Sequence, residues 1–423
     1  MKTITELLKE TTDHAFRVHT LERASYELFF VHRKVETVRA TDTTTTKVTV
    51  YADHDGCRGE YTFTVYPSDS EKVLIDKIHD AEKKAALVGN PAYTLPKGEH
   101  FEREIPSSLS AKTPDALAEE IGRAVFAADA YEGGSINALE VFLYHDTVTV
   151  ENSEGLYKRE KKYHAMLEAI PTWNLPHESV ELYESYSFTE LDAAEITAEI
   201  DARMQEVRDR CRAKKPTALT ADVVLNAKEL ETLFEEITNG LQYSSVYAKS
   251  NPFSRGDAVQ KVAPDGDPLT LTMRGEMKGS TASALFDADG VSLTERTLIR
   301  DGQVVDYFGS NRFAQYLGEP VTGLLPCMDV ETGTLTDAEL EGGRYFECIS
   351  MSGLQVDVVN DYIGGEVRLA YLHENGKKTP LTGISISGKL SEVLTDMRLS
   401  DRRTIHGAYG GPAKARLRHL EIV

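Results

Sequence analysis

The sequence predicts an α+β protein in two parts. Residues 1–215 read as duplicated β-hairpin and helix units, and residues 216–423 as a mostly antiparallel, curved β domain. Three observations carry this. A strand–turn–strand–helix pattern occurs twice before residue 215, as expected of one α+β domain built by duplication. A helix ends at Lys214-Lys215-Pro216-Thr217, where the residue before proline is pushed out of helical geometry. Beyond Ala221 the chain turns to short apolar stretches closed by Asp-Gly or Asn-Gly, the pairs that two-residue hairpin turns require.

The elements follow in order. Met1 to Glu10 starts an amphipathic helix with alternating charges. Glu27 to Val38 alternates as a strand, and Val48 to Val65 makes strands around the turn Asp55-Gly56. Ser70 to Leu87 is a charged helix; Asn90 to Thr113 is a link bearing Pro, Lys and Gly; Pro114 to Ala130 is a helix. The pattern then recurs, with Glu140 to Val150, the turn Glu154-Gly155, strand material at Tyr163 to Ile170 and Val180 to Phe188, and a long helix from Asp192 to Ala213.

In the second part, Asn226 followed by Glu229 predicts a helix cap with its box partner. Leu230, Leu233, Phe234, Ile237 and Leu241 then recur at helical spacing and describe one buried stripe. Asp289-Gly290, Asp301-Gly302 and Asn375-Gly376 each read as hairpin turns. Asp287-Ala288-Asp289-Gly290 is such a turn rather than a calcium loop, because the ligand pattern fails beyond the glycine. Gly323 and Gly364-Gly365 mark tight backbone geometry.

Composition narrows the function. A formal charge of −21 works against nucleic-acid binding, which needs clustered Lys and Arg to displace counterions. The basic runs Lys158 to Lys162 and Arg402-Arg403 are short, and the first is mixed with acid. Cys57, Cys211, Cys327 and Cys348 lie far apart without a CxxC pair, which argues against a disulfide framework or a cysteine-rich metal knuckle. The N-terminus lacks the pattern of a signal peptide, and no apolar run approaches the roughly 18 to 20 residues that span a membrane. A cytoplasmic protein is expected.

The most informative stretch is Ser283 to Leu390. It carries Ala284-Leu-Phe-Asp-Ala-Asp-Gly-Val291, Leu298-Ile-Arg-Asp-Gly302, Gly309-Ser-Asn-Arg-Phe-Ala-Gln-Tyr-Leu-Gly318 and Thr322-Gly323. Asp361-Tyr-Ile-Gly-Gly-Glu366, Ala370-Tyr-Leu-His-Glu-Asn-Gly-Lys377, Pro380-Leu-Thr-Gly383 and Ile386-Ser-Gly-Lys-Leu390 follow. In this order and spacing the block resembles the C-terminal domain of the TldD/PmbA (TldE) family, and the likeness extends more weakly over the rest of the chain. The resemblance implies a relation to zinc metallopeptidases, because the family contains zinc-bearing subunits and partner subunits without the metal.

The stretch that matches the family's metal helix places this chain among the metal-free members. Zinc-bearing subunits carry a His-Glu-x-x-x-His signature followed by glycine. Here the segment is Leu233-Phe234-Glu235-Glu236-Ile237-Thr238-Asn239-Gly240-Leu241. Both histidine positions are lost, to Phe234 and Asn239. Phenylalanine has no lone pair, and an asparagine amide is a poor ligand for zinc. The family's third ligand is a cysteine in a glycine-rich C-terminal turn, whereas His406-Gly-Ala-Tyr-Gly-Gly-Pro412 has none. A site rebuilt from His406 with Glu235 or Glu236 would need preset geometry and supporting contacts. The plainer expectation is that Phe234 is core and the two glutamates are solvated or paired.

The resemblance thus implies a PmbA/TldE-like subunit with no catalytic residue, cofactor or metal of its own. It would pair with a TldD-like zinc-bearing subunit, whose zinc cuts unfolded or linear peptides in a shared cavity. An extended peptide can be held along an exposed strand edge with little sequence preference. Two alternatives stand beside this: a non-catalytic, homodimeric peptide-binding module, and a hydrolase with a rebuilt metal site.

Overall fold

The computed structural model describes residues 2–177, 179–216, 219–263 and 265–423. After a capped helix α1 (Ile4–Thr11), the chain runs through β1 (Ala15–Val31), β2 (Lys34–His54), β3 (Cys57–Val65) and α2 (Glu71–Ala85). Next come β4 (His100–Glu104), α3 (Pro114–Ala127), β5 (Gly134–Asn152), β6 (Tyr157–Asn174), β7 (Ser179–Glu181), β8 (Glu184–Phe188) and α4 (Ala193–Arg210). These strands form one sheet in the order β3-β2-β1-β5-β6-β4, with β7 and β8 also on β6. The two hairpin units meet at the centre, where β1 and β5 pair antiparallel from Arg17↔Asn152 to Val31↔Ala138. The duplication read from the sequence is therefore one sheet with its repeats side by side. Ile78 and Ala81 of α2 cover Val48 and Val50, while α3 and α4 close over Leu28, Leu139, Val141 and Leu167.

Two expectations change here. The alternating run Glu27 to Val38 is not one strand, because His32 and Arg33 take positive φ angles of 45° and 64° and turn β1 into β2. Neither residue is a usual turn former, so the break leaves no mark in the sequence. The link Asn90 to Thr113 is also not plain connection, since it contains β4, which pairs parallel to β6 from His100↔Tyr157 to Glu104↔Lys161.

The C-terminal part opens with β9 (Asp222–Asn226), α5 (Ala227–Asn239) and α6 (Tyr243–Tyr247). The predicted boundary residue Thr217 lies outside the described residues. β10 (Leu271–Arg274), β11 (Arg296–Arg300), β12 (Gln303–Val304), α7 (Asn311–Leu317) and β13 (Cys327–Val330) follow. Then come β14 (Tyr345–Asp357), β15 (Tyr362–Glu374), β16 (Lys377–Leu381), β17 (Ile384–Gly388) and β18 (Arg398–Leu399). β19 (Arg403–His406), β20 (Tyr409–Pro412), β21 (Lys414–Leu417) and β22 (Glu421–Ile422) finish the chain.

They build two curled, mostly antiparallel sheets, β12-β11-β10-β13-β20-β19 and β18-β21-β9-β14-β15-β17-β22, with β16 added to β15. Register shifts between Cys348 and Gly353 of β14 are bulges of the kind that bend a strand. The apolar stripe of α5 sits in the core that both sheets share, among Val223, Leu271, Met328, Phe346 and Tyr409.

Asp301-Gly302 and Asn375-Gly376 turn with φ of 49°/78° and 51°/73°, as expected of two-residue hairpins. Asp289-Gly290 differs, being flanked only by an isolated bridge between Phe286 and Ser292. The Asp287 carboxylate closes this loop by accepting from the backbone N–H groups of Asp289, Val291 and Leu324 at 2.9, 3.0 and 3.0 Å. The loop is spent on joining the two parts. Leu285 and Phe286 pack on Val150 and Leu156, and the buried Glu160 accepts from Leu285 N–H at 2.7 Å. Among the described residues no helix is long and apolar enough to cross a membrane.

Candidate functional site

α5 and the β19–β20 hairpin together hold every residue singled out for the metal site. Asn226 is the N-cap of α5, but its side chain makes no capping bond. The amide donates instead to the Cys348 carbonyl at 2.8 Å, so the expected capping box does not close. A cross-strand acceptor from β14 outcompetes the helix end.

Phe234 is fully buried and stacks on Tyr409, with ring centroids 6.1 Å apart and planes 11° from parallel. Tyr409 is anchored by its own hydroxyl, which donates to the Pro412 carbonyl at 2.9 Å. Asn239 lies at the exposed end of the helix, where its amide oxygen accepts from Gln242 Nε2 at 3.0 Å. The two positions read against the histidine signature thus belong to different environments, one core and one surface. Glu235 and Glu236 both face solvent. Partial burial, then the neighbouring Glu231 and Glu236 carboxylates, raise the Glu235 carboxyl above its ordinary value.

His406 does not meet Glu235 or Glu236. Its Nδ1 lies 2.7 Å from Oε2 of Glu231, while Oε1 of Glu231 accepts the Ala408 N–H at 2.7 Å. Gly407, between them, has φ +54°, and a Cβ there would stand 2.6 Å from Glu231 Oε1. Glycine is what lets the carboxylate approach the turn. On the other side, Ser280 Oγ donates to the Gly407 carbonyl at 2.6 Å. Glu231 is the residue that sequence reasoning missed. Its only sequence signal is that it precedes Glu235 by one helical turn; its partner lies 175 positions away.

The donor set does not fit a catalytic zinc. One imidazole is bound to a carboxylate, the other carboxylates point to solvent, and an aromatic ring fills the core position. Among the described residues, no group of three or more His, Cys, Asp or Glu side chains converges on a point where an ion could bind. Cys327, near Ser280 and Ser283, is buried, and burial pushes its thiol above the ordinary value. That works against a thiolate nucleophile. The arrangement can hold a turn and present carboxylates, but it does not assemble a Lewis acid beside a base. A concavity of about 550 Å³ lies elsewhere, lined by Asp53 to Arg58, Ala92 to Thr94 and Gln315.

Residues 219–423 match the family described as PmbA/TldA metallopeptidase C-terminal domain. The chain is similar to the metalloprotease PmbA of Escherichia coli O157:H7, with 23% identity over 312 residues. That alignment covers 68% of this chain and 64%, just under two thirds, of the relative's own length. In fold it is similar to TldE from Thermococcus kodakarensis, with a TM-score of 0.82 at 14% identity over 100% of both chains. A Thermotoga maritima protein described as a candidate modulator of a DNA gyrase gives a TM-score of 0.79 at 15% identity, over 99% of this chain and 98% of that one. At these identities the structural likeness is one of fold.

Proposed function

The chain belongs, through its C-terminal domain, to the TldD/PmbA/TldE family of metallopeptidase-related proteins, and on that premise we propose that it is a non-catalytic subunit of a peptidase complex. Its companion is a TldD-like chain that supplies zinc and the general base, and the substrate is an unfolded or linear peptide. The complex works in the cytoplasm. The observation that carries the reading is the Phe234–Tyr409 stack. The fold that would present a metal ligand is kept, while the ligand position has become part of the core. Hydrolysis needs a Lewis acid and a base, and this chain brings neither together, so its part is to build cavity wall and hold substrate. The engagement of His406 by Glu231 weighs against a rebuilt metal site.

The test is reconstitution. This chain and a family member with an intact His-Glu-x-x-x-His motif are expected to co-purify and to degrade an unstructured peptide such as casein. Neither chain should do so alone, and chelator should abolish the activity. A companion that cleaves equally well without this chain would remove the basis for the reading.

A further inference from the structure

We infer that the polar cluster joining α4 to the C-terminal sheet is a pH-sensitive clasp between the two parts of the chain, which holds while Glu206 carries a proton and loosens when that proton leaves. The inference does not depend on the peptidase reading. Glu199, Arg203, Glu206 and Asp209 recur three or four residues apart, the spacing that puts side chains on one helix face. The end of this face reaches the other part of the chain. Tyr371 of β15 donates its hydroxyl to Asp209 Oδ2 at 3.0 Å. Lys378 of β16 holds its Nζ 3.6 Å from the Tyr371 ring centroid, and Lys214, just past α4, bridges to Leu381.

The cluster gathers more carboxylates than it can neutralise. Glu206 is 8% exposed. Arg203 and Glu199 face it from α4, Glu184 and Tyr186 from β8, Glu347 from β14, Tyr371 from β15 and Lys378 from β16. Glu347 is already bonded to Lys414 and His373, and Lys378 is exposed. That leaves Arg203 as the close cation. Its Nη1 stands 2.6 Å from Glu206 Oε2, but off the direction of a hydrogen bond. Among the described residues, Glu206 Oε2, Arg203 Nε and the Tyr186 hydroxyl are all buried without a hydrogen bond.

An ionised carboxylate kept from water without its hydrogen bonds is costly, and taking up a proton removes the charge. Burial pushes the Glu206 carboxyl up to about 8, with Glu184 and Glu347 adding to the rise and Arg203 and Lys378 opposing it. Ionisation would set a second negative charge one turn from Asp209, on the part of α4 that grips Tyr371. With α4 detached, Glu206 returns to an ordinary carboxyl of about 4.3. The docked form therefore binds the extra proton between these two values. Its stabilisation is fully present below about pH 4.3 and is lost as pH rises toward about 8.

Hydrogen exchange on the full chain tests this. Protection of residues 206–210 and of β16, corrected for intrinsic exchange, should fall by up to about tenfold per pH unit between about pH 5 and 8 and then level off. Glu206→Gln, which cannot ionise, should show flat protection over this range. Glu195→Gln, at an exposed position of the same helix, should keep the wild-type slope. Infrared spectra of the wild type need no variant. A protonated-carboxyl stretch present at about pH 6 should be gone at about pH 9. Protection indifferent to pH, a wild-type slope that survives in Glu206→Gln, or no protonated-carboxyl stretch at about pH 6 would each overturn the proposal.

Discussion

Phe234 on α5 and Tyr409 on β20 lie nearly parallel and offset, with 6.1 Å between ring centroids, and so fasten α5 to the C-terminal hairpin. The helix and the turn are joined here through two aromatic rings. A carboxylate, Glu231, completes the junction at His406 and Ala408.

Purified alone, the chain is expected to contain no stoichiometric zinc. Phe234 offers no donor, and Asn239 is bonded to Gln242. Elemental analysis finding about one zinc per chain, lost on His406→Ala or Glu235→Ala, would contradict this.

Restoring the motif should cost stability without creating a peptidase. Phe234→His with Asn239→His puts a polar ring into the core, for a loss of about 2 to 4 kcal/mol, in the range for truncating a buried aromatic. Denaturant melts read that loss. Tight zinc binding and peptide cleavage by the double variant alone would show that the helix and turn still converge on a ligand geometry.

Glu231→Ala should loosen the β19–β20 turn. It removes the acceptor of the Ala408 N–H and the partner of His406, at about 1 to 3 kcal/mol for leaving such groups unsatisfied. Hydrogen exchange at the Ala408 amide should accelerate. Glu236→Ala, on the solvent face of the same helix, is the control and should stay within about 0.5 kcal/mol of wild type.

The pH dependence of stability is expected to include Asp146. Burial raises its carboxyl, but hydrogen bonds from Arg23 and His164 outweigh this and hold it well below the carboxylate range. Arg23 binds it through Nε and Nη2, each at 2.7 Å. A folded-state pKa below the unfolded value means that the stabilisation is present above the unfolded pKa of about 3.9 and lost as pH falls toward the folded value. Asp146→Asn should therefore cost about 2 to 3 kcal/mol at pH 7, and the gap should narrow in melts taken below about pH 4. A gap that stays constant into acid would rule out the linkage.

Gly290→Ala should strain the seam between the two halves. The residue has φ +81°, and an added Cβ would lie 2.3 Å from Leu156 Cδ2. A cost of about 2 kcal/mol is expected from the backbone and the overlap together. Pairing it with Leu156→Ala should relieve the overlap but not the backbone strain, so the double-mutant cycle should show a favourable coupling. Additive losses would place the strain in the backbone alone.

The sequence by itself determined the elements whose causes are local. Alternation marked the strands of both units, the apolar spacing of Leu230, Leu233, Phe234 and Ile237 marked α5 as buried on one face, and Asp301-Gly302 and Asn375-Gly376 marked their hairpins. It also marked Phe234 as core rather than as a ligand, because a side chain without a lone pair cannot bind zinc in any fold. Only the tertiary structure decided which residues meet. His406 reaches Glu231 instead of Glu235 because the β19–β20 hairpin crosses α5 one turn earlier than residue type would indicate. The Asn226 amide turns to Cys348 because β14 offers an acceptor that the helix end does not match. The break at His32-Arg33 and the role of Asp289-Gly290 at the seam were likewise invisible. Each depends on contacts between distant segments, and local propensity carries no information about which distant surface will arrive.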